Sequence, residues 1–110
     1  MAIPPHVTAV DVALATVPRG RWTTYGDLAR AAGTGPRIVG ALMASGDFEL
    51  AHRVLTAAGR PSKGFGVRQQ HLLEAEGVRF DDLGRADPSA RMTAEEMPHP
   101  GDEMSQSAAE

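Results

Sequence analysis

The sequence predicts a mainly α domain built round a helix-turn-helix, with a short strand element and a disordered acidic tail after it. Three observations carry that prediction. Apolar residues recur at helical spacing in short runs, each closed by glycine or proline. Two of the short helices are joined by a tight glycine-containing turn, Gly33-Thr34-Gly35-Pro36. Composition and charge then change near Phe80, which divides the 110 residues into a folded domain over 1–82 and a tail over 83–110.

Each element follows from local chemistry. Val7, Val10, Leu14 and Val17 line one face of a first helix over His6 to Val17, which Pro4 and Pro5 introduce and Pro18-Arg19-Gly20 ends. Arg21-Trp22-Thr23 is extended. Thr24 with Asp27 three residues on resembles a capping box with the shorter acid, so a second helix runs from Tyr25 to Ala32 and stops at Gly33. Pro36 stands near the first position of a third helix, Arg37 to Ser45, carrying Ile38, Val39, Ala41 and Leu42 and ending at Gly46. Arg53-Val54-Leu55 is a short strand, which makes the helix-turn-helix domain winged-helix-like. Gly59 to Gly66 is an exposed loop, and Leu72 and Leu73 supply the apolar side of a last helix from Val67 to Glu76, with Gly77 after it. From Gly84 onward the polar residues and Pro88, Pro98 and Pro100 leave little to bury, hence the expectation of disorder.

Charge and composition narrow the function classes. The net charge is −3, but residues 1–80 hold nine Lys or Arg against six Asp or Glu, giving +3, and residues 81–110 hold two against eight, giving −6. The folded part thus keeps a weak basic footprint suited to DNA, which the whole-chain value hides. There is no cysteine, so thiol chemistry, disulfides and thiolate metal sites are excluded. His6, His52, His71 and His99 lack ligand spacing, so neither a metal nor another cofactor is expected. No apolar run approaches the ~20 residues that cross a bilayer, and Met1 to Pro5 lacks the regions of a signal peptide. The expectation is a soluble, cytoplasmic monomer without membrane contact.

Several ordered blocks then say more than any one of them. Val17-Pro18-Arg19-Gly20-Arg21-Trp22-Thr23-Thr24-Tyr25-Gly26-Asp27-Leu28-Ala29, Pro36-Arg37-Ile38-Val39-Gly40, Ala51-His52-Arg53-Val54 and Leu72-Leu73-Glu74-Ala75-Glu76-Gly77-Val78 follow in order over roughly residues 5 to 80. Together they resemble the DNA-binding domain of the O6-alkylguanine-DNA alkyltransferases. In those enzymes the third block reads Pro-Cys-His-Arg-Val, and the cysteine thiolate takes the alkyl group from damaged guanine. Here Ala51 stands at that position, and a methyl group has no lone pair with which to attack. Members without the cysteine are the alkyltransferase-like proteins. The resemblance implies no catalytic residue, recognition of O6-alkylguanine in double-stranded DNA without repair, and delivery of the lesion to nucleotide excision repair proteins.

The resemblance also assigns roles to residues of this chain. Tyr25 crowds the 3′ phosphate of the target nucleotide and Arg37 enters the base stack in its place, with Thr24 and Gly40 beside them on the DNA-binding surface. Ala51, His52, Val54 and Glu76 help line the pocket for the extruded base. Each has a plainer reading beside it. Tyr25 is then a half-buried aromatic, Arg37 a solvated charge, and the His52–Glu76 pair a way to satisfy buried polar groups. Arg60, Lys63 and Arg68 are candidate phosphate contacts. The chain departs from the family in a shorter stretch between Met43 and Ala51, in Leu50 replacing proline, and in a 59–66 loop without the tyrosine that covers the base; Lys63, Phe65 and Arg68 are the candidates for that place. Two rival functions remain: a winged-helix DNA-binding or regulatory module without lesion specificity, and alkyl transfer to His52, for which imidazole is a weak nucleophile.

Overall fold

The structure is a computed structural model and describes residues 5–62 and 66–97. Its elements run in the order α1 (Pro5–Ala15), β1 (Thr23–Thr24), α2 (Tyr25–Ala32), α3 (Pro36–Ala44), a 3-10 turn (Ala51–Arg53), β2 (Val54–Leu55) and α4 (Gly66–Ala75), followed by short 3-10 turns at Pro88–Ala90 and Ala94–Glu96. The helices lie within a residue or two of their expected spans. The end of α1 tightens instead of continuing, since Thr16 and Val17 donate to the carbonyls of Ala13 and Leu14.

Strands β1 and β2 pair in parallel, with Thr23 opposite Val54 and Thr24 opposite Leu55. Successive side chains of a strand point to opposite faces, so this two-residue pair joins two cores. Val54 packs with Val10, Leu14, Val17, Leu28 and Val39 of the three N-terminal helices and their boundaries. Leu55 packs with Trp22, Leu73 and Val78 on the α4 side. The sheet is short, but it fixes α2 and α3 relative to α4.

The tail is where expectation and structure part. Residues from Gly84 to Met97 were expected to have little to bury, yet Ala86, Met92, Ala94 and Met97 are all buried, and Met92, Ala94 and Met97 belong to the helical core. The segment runs along Trp22: the Trp22 N–H donates to Ala90 O, Met92 N–H donates to Trp22 O at 2.7 Å, and the indole N–H donates to Asp87 O at 2.9 Å. Its Arg91 reaches the buried carboxylate of Asp27 at 2.6 Å. Proline spacing and acidity obscured this, because isolated small and methionine side chains carry no periodicity when the segment docks as a strap. The folded unit therefore extends past the expected boundary at 82 to at least Met97. The remainder of the expected tail lies outside the described residues.

The expected exposed loop also begins differently. Gly59 is buried, has a φ of +77°, and an added Cβ would stand 3.2 Å from Cη2 of Trp22. Its carbonyl accepts from Ala86 N–H at 2.8 Å. A Gly59→Ala protein is expected to lose about 1–2 kcal/mol of stability from left-handed backbone strain and ring displacement. Chemical denaturation against the parent checks this.

Candidate nucleic-acid interface

The α2–α3 pair forms the exposed helix-turn-helix. Thr24 is extended, with φ −111° and ψ 161°, and its hydroxyl oxygen accepts from Asp27 N–H to cap α2. The capping-box half expected of Asp27 is redirected. Its carboxylate accepts from Thr24 Oγ1, Arg30 and Arg91 instead of closing back on the cap. Burial pushes the Asp27 pKa up, but the hydrogen bonds from Arg91, Thr24 and Arg30 outweigh it and hold the group below the ordinary aspartate value. Thr24 is accordingly buried, and its part in the surface is to set the start of α2, where Tyr25 stands half-exposed. Gly33 takes the left-handed conformation at φ 74°, which turns the chain into α3.

Pro36 opens α3 and Arg37 follows in the first turn, exposed and without an ion pair or side-chain hydrogen bond among the described residues. Gly40 lies three residues on, so it shares the face of Arg37. Among the described residues nothing stands within 4 Å of where its Cβ would be, leaving a flat place on that face.

Behind Tyr25 the structure holds a cavity of about 260 Å³. Met43 at the end of α3 and Phe48 and Leu72 supply apolar walls, while Ala51 and His52 come from the 3-10 turn. Glu49, Arg68 and Gln69 add polar groups to the lining. The volume is just under the roughly 300–1,000 Å³ of common small-molecule sites, a size suited to one nucleobase.

Two expected pocket residues are elsewhere. Val54 is fully buried in the helical core because β2 turns it inward. Glu76 stands behind the lining and reaches the cavity only through His52, whose Nε2 lies 2.8 Å from Glu76 Oε2. Arg53 completes that arrangement, donating from Nε to Glu76 Oε1 at 2.9 Å and from Nη2 to Oε2 at 2.8 Å. Its third nitrogen reaches Val17 O, tying the turn to the end of α1. Burial raises the Glu76 pKa, but the Arg53 and His52 hydrogen bonds prevail and hold it at about 2.

Of the candidate phosphate contacts, Arg68 lines the cavity, and Arg60 is exposed beyond the sheet. Lys63 and Phe65 lie outside the described residues. Tyr25 Oη instead meets the hydroxyl of Ser62. Ser62 in turn donates its N–H to Gln69 Oε1, and Gln69 Nε2 donates to the carbonyls of His52 and Val54. Sequence reasoning missed Gln69, Arg53, Met43 and Phe48 as site residues. Gln69 was within reach of it: Gln69, Leu72, Leu73 and Glu76 follow the i, i+3, i+4, i+7 pattern of an inward helix face.

The chain matches the family model of the 6-O-methylguanine DNA methyltransferase DNA-binding domain over residues 5–78. Among solved structures it is similar to S. pombe Atl1 in complex with damaged DNA containing O6-carboxymethylguanine, at 29% identity and a TM-score of 0.67, covering 84% of this chain and 99% of Atl1. A second S. pombe ATL structure, in complex with DNA, gives 28% identity and a TM-score of 0.65 over the same shares. The O6-methylguanine-DNA methyltransferase of Pyrococcus kodakaraensis is 34% identical with a TM-score of 0.59 over 70% of this chain, which spans 48% of that enzyme. No curated protein matches the sequence. By the family match over most of its folded part and by its lack of cysteine, this chain belongs to the 6-O-methylguanine DNA methyltransferase DNA-binding-domain family as an alkyltransferase-like member.

Proposed function

We propose that the protein binds O6-alkylguanine in duplex DNA, turns the nucleotide out of the helix and holds it unaltered, so that nucleotide excision repair proteins can act on the marked site. The observation that carries this reading is the nucleobase-sized cavity directly behind Tyr25, with Ala51 in its lining where the enzymes keep their thiol. Structures of Atl1 with damaged DNA support it.

The steps are those that the resemblance to the alkyltransferases implies for these residues. Helix α3 presents Arg37 and the flat surface at Gly40 to the duplex. Tyr25 crowds the backbone of the damaged nucleotide. Extrusion costs a few kcal/mol of stacking and pairing, and the planar Arg37 guanidinium compensates by stacking in the gap and donating to the orphaned base. The base enters between Tyr25 and Leu72 toward Ala51, whose methyl group cannot take up the alkyl substituent. His52 is held by Glu76 and Arg53 as part of a fixed wall, and the apolar side of the lining, Met43, Phe48 and Leu72, accepts the O6 substituent.

Fluorescence anisotropy with matched duplexes containing guanine or O6-methylguanine, at one stated salt concentration, tests the reading. Tighter binding of the alkylated duplex is expected, with mass spectrometry recovering lesion and protein unchanged. Equal affinity for both duplexes would leave an ordinary helix-turn-helix DNA binder. An alkyl adduct on the protein would make it an enzyme.

A further inference from the structure

We infer that Ser62 is the residue that positions Tyr25: its hydroxyl donates to Tyr25 Oη and leaves the phenolic proton free to meet a DNA phosphate. This rests on the lesion-binding reading above and adds to it a role for the loop after β2. Tyr25 lines the cavity from α2 and Gln69 lines it from α4. Ser62 is bonded to both, so it bridges two of the cavity's walls.

The bridge is anchored at its α4 end. Gln69 is 5% exposed, and its amide is satisfied on both sides. Nε2 donates to His52 O at 3.2 Å and to Val54 O at 2.6 Å, while Oε1 accepts from Ser62 N–H at 3.0 Å. The backbone of Ser62 is thereby tied to the turn that carries Ala51 and His52. A tight turn delivers the chain to this point, with Thr56 N–H donating to Arg60 O at 3.0 Å and Gly59 N–H to Thr56 O at 2.8 Å. Pro61 then fixes the backbone immediately before Ser62. All of these contacts use the main chain, which leaves the Ser62 hydroxyl for Tyr25.

Among the described residues Ser62 is the one side-chain hydrogen-bond partner of Tyr25, whose ring is half-exposed at the start of α2. The direction of their bond follows from what DNA offers. A phosphate oxygen only accepts, whereas a tyrosine hydroxyl has one proton and lone pairs besides. Were Tyr25 to give its proton to Ser62, it would face the phosphate with lone pairs alone. With Ser62 donating, Tyr25 accepts from the protein and donates to the DNA, and the two bonds strengthen each other. The bridge also holds the ring in place before binding, so less side-chain freedom is lost when it crowds the backbone.

A double-mutant cycle on the full-length protein tests the assignment, with affinities for O6-methylguanine and guanine duplexes measured at one salt concentration. Ser62→Ala keeps the N–H bond to Gln69 and Tyr25→Phe keeps the ring, so both variants should fold as the parent does. Ser62→Ala is expected to bind the lesion duplex about fivefold more weakly, the order of one hydrogen bond, and Tyr25→Phe at least as weakly as that. The double variant should match Tyr25→Phe, because Ser62 acts only through the phenol. Ser62→Thr, which keeps a hydroxyl, should recover most of the loss. A Ser62→Ala protein that binds like the parent overturns the assignment. So does an equal loss from Ser62→Ala in the parent and in the Tyr25→Phe background, which would mean that Ser62 merely shapes its loop. A parent that binds both duplexes equally strikes the lesion-binding reading, and the assignment with it.

Discussion

A Glu76→Ala protein is expected to be less stable than the parent by about 3 kcal/mol or more, because the substitution strands a nearly buried guanidinium. Arg53 has an 11% exposed side chain and gives two of its nitrogens to Glu76, which is itself 9% exposed. The same carboxylate accepts from His52. The loss should appear in a thermal or urea midpoint, with the parent's spectrum retained at low temperature.

The same group makes stability pH-dependent, and the sign follows from the direction of its shift. The Glu76 pKa is lowered from 4.5 to about 2 in the folded protein, so the folded state holds the proton less tightly than the unfolded chain. The stabilisation is then fully present above pH 4.5 and is lost as the pH falls toward 2, a change of about 3 kcal/mol. Asp27 is lowered in the same sense, as are the surface carboxyls of Asp81, Asp87 and Glu96, so acid destabilisation has sources besides Glu76. Glu76→Gln should remove the Glu76 part alone, flattening the fall in urea midpoint between neutral pH and about pH 3. A Gln variant whose pH profile overlays the parent's would show that Glu76 is not ionised in the way its three N–H partners require.

What the sequence disclosed and what it hid divide along physical lines. Helices α2 and α3 were legible because Thr24, Gly33 and Pro36 act on their immediate neighbours, within one turn. The strap over 84–97 was not, because its anchors are long-range. Arg91 finds Asp27 and Met92 finds Trp22, pairs some 64 to 70 residues apart that no window connects. The site shows the same contrast. Tyr25, Arg37, Ala51 and His52 could be placed from short motifs, and the structure sets Tyr25, Ala51 and His52 round one cavity. Val54 was misplaced because a motif gives order along the chain but not which face a two-residue strand turns inward. Gln69 went unseen for a related reason. Its helix face was marked by Leu73 and Glu76, but its partners, the carbonyls of His52 and Val54, lie on another segment.

An Arg37→Ala protein is expected to bind an O6-methylguanine duplex about thirtyfold more weakly than the parent, equivalent to about 2 kcal/mol. Arg37 is exposed and has no ion pair or side-chain hydrogen bond among the described residues, so its removal should leave folding unchanged. That separates it from Glu76, whose loss acts through stability. The size of the effect follows from its proposed place in the stack: extrusion opens a gap, and an alanine neither fills it nor donates to the unpaired base. Undamaged duplex, for which the proposal requires no extrusion, should lose only the share of one phosphate-facing cation, a few-fold at moderate salt. The ratio of the two losses is therefore the diagnostic quantity. Arg37→Lys keeps the charge without the planar fork and should recover undamaged binding while leaving most of the lesion deficit. Arg60→Ala, from an exposed position outside the cavity lining, should lower both affinities alike and slightly. If Arg37→Ala matches Arg60→Ala on both duplexes, Arg37 is a phosphate contact and its proposed place in the base stack is wrong.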